Sequence, residues 1–260
     1  MNTFDQIIGY ENIKSELMQV CDIVHNREVY KKLGAKLPRG VILYGEPGLG
    51  KSLMAKCFIK ESGLTSYTIR KNKGNDFLAY IEETFKNAKE NAPSIICLDD
   101  LDKFAKEDYY RCDAEEYVAV QAGIDDTKDS DVFVIATAND IDKLPDSLIR
   151  AGRFDKKIEV SRPTDEDACK IIKHYLKDKK LSEKVNFEDL TKMISYSSCA
   201  ELETIINEAA LNAAYERRDK IETEDILKAV LIMQYKSPEN FAKASPEELK
   251  KQHSTKPVML

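Results

Sequence analysis

The fold class this sequence predicts is a parallel α/β sheet flanked by helices, followed by a small all-helical domain. Three observations carry that expectation. Continuous apolar runs at 41–44, 94–98 and 132–136 suit short strands covered on both faces. Segments of helical spacing alternate with them, which calls for parallel strands joined by right-handed crossovers. Past Arg162-Pro163 the strand-like runs stop and only helical spacing continues.

Taken in order, Glu11 to Val24 places Ile13, Leu17, Val20, Cys21 and Val24 on one helical stripe. Val41-Ile42-Leu43-Tyr44 reads as a buried strand running into Gly45-Glu46-Pro47-Gly48-Leu49-Gly50-Lys51-Ser52. That octet fits the phosphate-binding pattern G-x-x-x-x-G-K-[ST] at every fixed position. Its glycines let the backbone wrap around phosphates with N–H groups pointing inward. Lys51 then reaches the β- and γ-phosphates, and the Ser52 hydroxyl ligands Mg²⁺. A glycine turn beside a chance Lys-Ser is the competing reading. Against it, a strand precedes the loop, and Leu53, Met54, Cys57 and Phe58 follow at helical spacing. The expected nucleotide contacts are Gly45, Pro47, Gly48, Leu49, Gly50, Lys51, Ser52 and Leu53, on a P-loop NTPase sheet.

Ser66-Tyr67-Thr68-Ile69 is a further strand, and Phe77 to Ala88 returns to helical spacing with Phe77, Tyr80, Ile81, Thr84, Phe85 and Ala88 on one face. The run Ile95-Ile96-Cys97-Leu98 ends in Asp99-Asp100. A phosphate loop needs such an acidic strand end, with Asp99 anchoring the metal and Asp100 polarising the attacking water. The alternative is that Asp99, Asp100 and Asp102 cap the next helix, a role that suits Asp102 best. Beyond Pro163, Thr164 caps a helix carrying Ala168, Ile171, Ile172, Tyr175 and Leu176. A second stripe holds Leu202, Ile205, Ile206, Ala209, Ala210 and Ala213, and Thr223 caps a third helix with Ile226, Leu227 and Val230. The expected domains are therefore residues 1–162, a nucleotide-binding α/β domain; 163–236, a helical lid; and 237–260, a polar tail with three prolines.

The 260 residues carry a formal net charge of −6, which argues against a polyanion partner such as nucleic acid. Six scattered cysteines without a C-x-x-C pair read as reduced core thiols of a cytoplasmic protein. No apolar run approaches the ~20 residues of a spanning helix, and the first residues lack a secretory pattern. The expectation is a protein neither secreted nor membrane-anchored. Three distant histidines with no H-E-x-x-H leave zinc chemistry without ligands.

From Phe4 to about Met233 the residues resemble the AAA+ ATPases, and within them the ATPase module of FtsH, the membrane-anchored zinc metalloprotease. The likeness rests on 4–9, 33–41, the phosphate loop, 91–96, 136–139, Ile149-Arg150-Ala151-Gly152-Arg153-Phe154-Asp155 and 207–211. The resemblance implies that Asn139 is the sensor positioning the lytic water. It implies that Ile8 and Gly9 line the adenine pocket, and that Cys199 and Ala200 sit where the lid approaches nucleotide. Arg150 and Arg153 match arginine fingers supplied to a neighbouring subunit's ATP. A planar, permanently charged guanidinium delivered in trans stabilises charge on the transferring phosphoryl.

Three departures stand out. The family usually has Glu where this chain has Asp100, and a catalytic group misplaced by about 1 Å can cost on the order of 10²-fold in rate. Slow but real hydrolysis is expected. Where FtsH-like unfoldases carry an aromatic pore loop, this chain reads Arg70-Lys71-Asn72-Lys73-Gly74-Asn75-Asp76, shortened and basic. The third departure is the expected lack of a membrane segment, protease domain and substrate-binding N-domain. The leading expectation is a Mg²⁺-dependent ATPase assembling as an oligomer, a hexamer as in the family, to remodel a protein partner. A nucleotide-gated binding switch with slow turnover and no threading competes with it. A clamp-loader-like ATPase acting on nucleic acid is the weaker third reading.

Overall fold

The computed structural model describes residues 3–71, 76–105 and 114–235. The tail at 237–260, Cys112 and the stretch 72–75 lie outside the described residues. Two compact units divide between Pro163 and Thr164.

The first unit is built on five parallel strands: β1 (Gly40–Tyr44), β2 (Thr65–Arg70), β3 (Ser94–Asp99), β4 (Val132–Ala138) and β5 (Lys156–Glu159). Their order across the sheet is β2-β3-β4-β1-β5. The runs expected to be strands are strands, and every residue of β3 and β4 is buried. Edge strand β2 is one residue longer at each end than its apolar spelling suggests. β5 escapes an apolar-run search because only Ile158 of its four residues is buried. Helices α1 (Glu11–His25), α2 (Arg27–Lys32), α3 (Lys51–Ser62), α4 (Phe77–Glu90) and α5 (Glu115–Asp126) complete the unit. Of these, α2 buries no residue and α5 only Tyr117, Val120 and Ile124, so neither advertises itself in the sequence.

On α4 the expected apolar face is buried except for Tyr80, which is exposed and donates its hydroxyl to the Thr68 carbonyl at 2.8 Å. A core joins Ile42, Ile96, Leu98 and Val134 of the sheet to Phe85, Phe104 and Tyr117. Helix α5 comes so close to α4 that a Cβ on Gly123 would meet the Phe85 ring at 2.4 Å. Within β3, burial pushes the Cys97 thiol up to about 12, with Asp99 adding to the effect.

The second unit contains α6 (Asp165–Leu176), α7 (Phe187–Ile194), α8 (Cys199–Tyr215) and α9 (Thr223–Tyr235). Thr164 does cap α6, accepting from the Asp167 N–H at 3.2 Å. α8 opens on a capping box between Ser198 and Glu201. α9 departs from expectation: the helix starts at Thr223 itself, and the Asp225 carboxylate takes the Glu222 N–H at 2.9 Å. Buried Asp225 also receives both prongs of Arg218, at 2.7 and 2.6 Å.

Those Arg218 hydrogen bonds, working against burial, hold the Asp225 carboxyl below its ordinary value. Its folded value being the lower one, the pair stabilises the unit fully above the usual Asp range, and that contribution is lost as pH falls through the folded value. Asp225→Asn is expected to lower the calorimetric unfolding midpoint at neutral pH. It should also flatten the midpoint's decline below about pH 4, the ordinary Asp value.

Candidate functional site

The C-terminal ends of β1, β3 and β4 lie side by side, in the region where open α/β sheets bind ligands. The phosphate loop leaves β1 there. Gly45 has φ 143°, and a Cβ on it would meet the Val160 carbonyl oxygen at 2.1 Å, so only glycine fits. Gly48 (φ 81°) and Gly50 (φ 89°) complete the turn, Leu49 is buried beneath it, and α3 starts at Lys51. A helix N-terminus with free N–H groups is suited to phosphate. Pro47 is exposed on the loop and Leu53 is exposed on the first turn of α3.

Lys51 is buried, and its Nζ donates to the carbonyls of Gly45 and Glu46, each at 2.7 Å. Burial pushes its ammonium below the ordinary value, with Asp100, Asp102 and Asp99 pulling partly the other way. Ser52 Oγ donates to Asp99 Oδ1 at 2.8 Å. The same carboxylate oxygen accepts from Thr137 Oγ1 at 2.8 Å, and Thr137 Oγ1 in turn accepts the Asp100 N–H at 2.9 Å. Asp100 sits at φ 56°, a left-handed conformation a non-glycine residue adopts only when held there.

Asp100 Oδ2 faces two cations, Lys103 Nζ at 2.9 Å and Arg70 Nη2 at 3.4 Å. Burial pushes its carboxyl up, but Lys103 and then Arg70 outweigh it, leaving the value below the ordinary one. Asn139 follows β4 directly, half-buried, and its N–H donates to Asp102 Oδ1 at 3.1 Å. This corrects the capping role for Asp102: it lies inside the turn Leu101–Lys103, buried, and braces the start of the segment carrying Asn139.

The structure thus brings together Gly45 to Ser52, Asp99, Asp100 and Asn139. Thr137, Asp102 and Arg70 are additions that sequence reasoning missed. Ile8 is half-buried and Gly9 buried at φ 73°, next to Tyr10, whose hydroxyl donates to the Ser161 carbonyl at 3.0 Å. Cys199 and Ala200 form the first turn of α8 in the second unit.

Arg150 and Arg153 are at the other end of the sheet. Arg153's carbonyl oxygen would lie 2.7 Å from a Cβ on Gly40, the first residue of β1, and Asp155 Oδ2 takes the Arg39 N–H at 2.8 Å. Five strand residues, roughly 16 Å, separate them from the phosphate loop of the same chain. Their environments differ. Arg153 is buried, donating to Asp125 Oδ2 at 2.7 Å, Gln121 Oε1 at 2.7 Å and the Ser147 carbonyl. Those hydrogen bonds hold the Asp125 carboxyl below its ordinary value. Arg150 is exposed on the wall of a cleft of about 1040 Å³ that also holds Lys36, Arg39 and Lys128. None of these four cations is ion-paired among the described residues.

The basic stretch after β2 is already engaged where it is described. Arg70 faces the two carboxylates, and Lys71 pairs with Glu116 at 2.7 Å, donates to the Phe104 carbonyl and lies over the Phe77 ring. Those two side chains are therefore paired within the chain; residues 72–75 lie outside the described set.

Among the described residues no three His, Cys, Asp or Glu converge, and the oxygens that do meet are the Ser52 hydroxyl and the Asp99 carboxylate. Such a set fits Mg²⁺, which takes one or two protein oxygens and completes its shell with phosphate and water. Also among the described residues, no helix is long and apolar enough to cross a membrane.

Residues 41–162 match the family model for the ATPase family associated with various cellular activities, AAA. Among curated proteins the chain is similar to ATP-dependent zinc metalloprotease FtsH 2 of Sphaerobacter thermophilus, 32% identical, with 88% of this chain and 36% of that protein covered. FtsH of Leptotrichia buccalis is 34% identical, covering 87% and 31%, and FtsH of Mycoplasma pneumoniae 34%, covering 87% and 34%. The chain spans about a third of the length of the curated relatives it matches.

Thr137→Val keeps the side-chain shape but strands the Asp100 N–H, which should cost about 1–3 kcal/mol. The expected drop in unfolding midpoint is roughly 3–10 °C, with Thr137→Ser recovering most of it.

Proposed function

The chain belongs to the AAA family of ATPases, and from that premise we propose that it works as an oligomeric, Mg²⁺-dependent ATPase that remodels or disassembles a protein partner. One observation supports the oligomeric reading above the others: Arg150 and the phosphate loop occupy opposite ends of one sheet. Arg150 cannot reach its own chain's nucleotide, but a second copy docked head to tail would receive it. The far end is basic, with Lys36, Arg39, Lys128 and Arg150 lining its cleft, whereas at the nucleotide end Glu46, Asp100 and Asp140 are paired with Arg162, Lys103 and Lys143. Heterologous contacts of this kind close into rings, and a hexamer is the ring proposed.

In this reading the loop amides and Lys51 hold the phosphates, with Ile8 and Gly9 lining the base side. Ser52 and Asp99 would hold Mg²⁺, which when bound neutralises charge on the β- and γ-phosphate oxygens. Asp100 orients the attacking water and takes its proton, and Asn139 fixes that water from the end of β4. The neighbour's Arg150 offsets charge on the transferring phosphoryl. Arg153 takes a different role from the one the sequence suggests: tied to Asp125 and Gln121 of its own chain, it positions the loop that presents Arg150.

A second reading, an ATP-gated assembly switch with slow turnover, is favoured by the cations on Asp100 and by the pairing of Arg70 and Lys71 within the chain. An unfolding assay on a tagged client, run beside partner binding in ATP, ADP and no nucleotide, separates the two.

Lys51→Ala is expected to weaken ATP binding about 10- to 100-fold. Asp100→Asn should leave binding intact and lower phosphate release on the order of 10²-fold. Arg150→Ala should bind ATP normally yet hydrolyse it about 10³-fold more slowly. Mixing it with Lys51→Ala should restore turnover, because the latter still lends its Arg150 to the former's intact site. No recovery on mixing rules out delivery in trans.

A further inference from the structure

We propose that Arg162 is a positioning residue of the nucleotide site, drawing the Glu46 carboxylate away from the cradle that takes the phosphates. Glu46 is the second residue of the phosphate loop and the only one of the eight with an anionic side chain. Its own carbonyl accepts from Lys51 Nζ at 2.7 Å, so a swing of the same residue's side chain brings a carboxylate towards that cation. An anion tethered there competes with phosphate for Lys51 and for the free N–H groups at the start of α3. The carboxylate instead meets Arg162 Nε at 2.8 Å.

The sheet puts Arg162 within reach. Tyr44, the last residue of β1, pairs with Glu159, the last of β5, and the Val160 N–H extends that pairing by donating to the Tyr44 carbonyl at 2.7 Å. Gly45 then passes against the Val160 carbonyl, and the Tyr10 hydroxyl holds the carbonyl of Ser161. Glu46 and Arg162, 116 residues apart in sequence, thus face each other where two paired strands run out. The carboxylates that act on the Lys51 ammonium are Asp100, Asp102 and Asp99, while the loop's own acid is engaged by Arg162. The Arg162 and Glu46 side chains are 47% and 59% exposed, so their pair adds little to stability and its effect falls on binding.

The inference rests on the reading that residues 45–52 hold the phosphates, and Lys51→Ala is the control for that reading. Calorimetric titration of the full chain with ADP and Mg²⁺ gives Kd for the parent, Arg162→Ala, Arg162→Lys, Glu46→Ala and the double variant Glu46→Ala with Arg162→Ala. Steady-state hydrolysis adds kcat and KM for ATP. Arg162→Ala is expected to raise Kd for ADP and KM for ATP about two- to fivefold, the scale on which exposed ion pairs act, with kcat little changed. Arg162→Lys, which keeps the charge, should recover most of the loss. Removing Arg162 from Glu46→Ala should move neither constant, because no carboxylate is left to be held. An unaltered Kd in Arg162→Ala, or an equal loss with and without Glu46, overturns the proposal. If Lys51→Ala binds ADP like the parent, the phosphate reading of the loop fails instead; a weakened Lys51→Ala beside an unaltered Arg162→Ala removes the Arg162 proposal alone.

Discussion

The buried hydroxyl of Thr137 is the joint on which the site is assembled. It donates to Asp99 and accepts from the backbone of Asp100, so one side chain of β4 sets the Asp99 carboxylate and the Asp100 backbone at the end of β3. Ser52 meets the same Asp99 oxygen from the start of α3, which brings the third element to the joint. Each hydrogen bond is worth only about 1 kcal/mol as net stability. Their value lies in geometry: three elements far apart in sequence are fixed to one oxygen of Asp99.

A parallel sheet gives its two ends different chemistry. All five strands point the same way, so loops at the carboxyl ends gather the phosphate loop and its acids while loops at the amino ends gather Arg39 and Arg150. In the function proposed above, that division leaves completion of the site to association, and hydrolysis would report on assembly.

Much of this was legible in the sequence. Buried strands read clearly because both faces are covered and their central runs are apolar, as at 95–98 in β3 and 132–136 in β4; β5 and α2 did not, since one buries a single side chain and the other none. The phosphate loop was legible because its function dictates residue types at fixed spacing. Thr137, Asp102 and Arg70 were not, because their roles depend on contacts 30 or more residues apart along the chain, which no local pattern records. Arg150 and Arg153 look alike in sequence, three positions apart. Only burial tells them apart, and burial depends on Gln121 and Asp125 of α5.

Cys97 lies two residues before Asp99, enclosed in β3, with a thiol held near 12. At physiological pH essentially none of it is thiolate, the form that reacts with oxidants and alkylating reagents. The strand that carries the acidic pair is thereby insulated from redox chemistry despite having sulfur next to its working end. Among the described thiols, peroxide or maleimide would find the less buried Cys169 and Cys199 of the second unit first, before the sulfur beside the acidic pair.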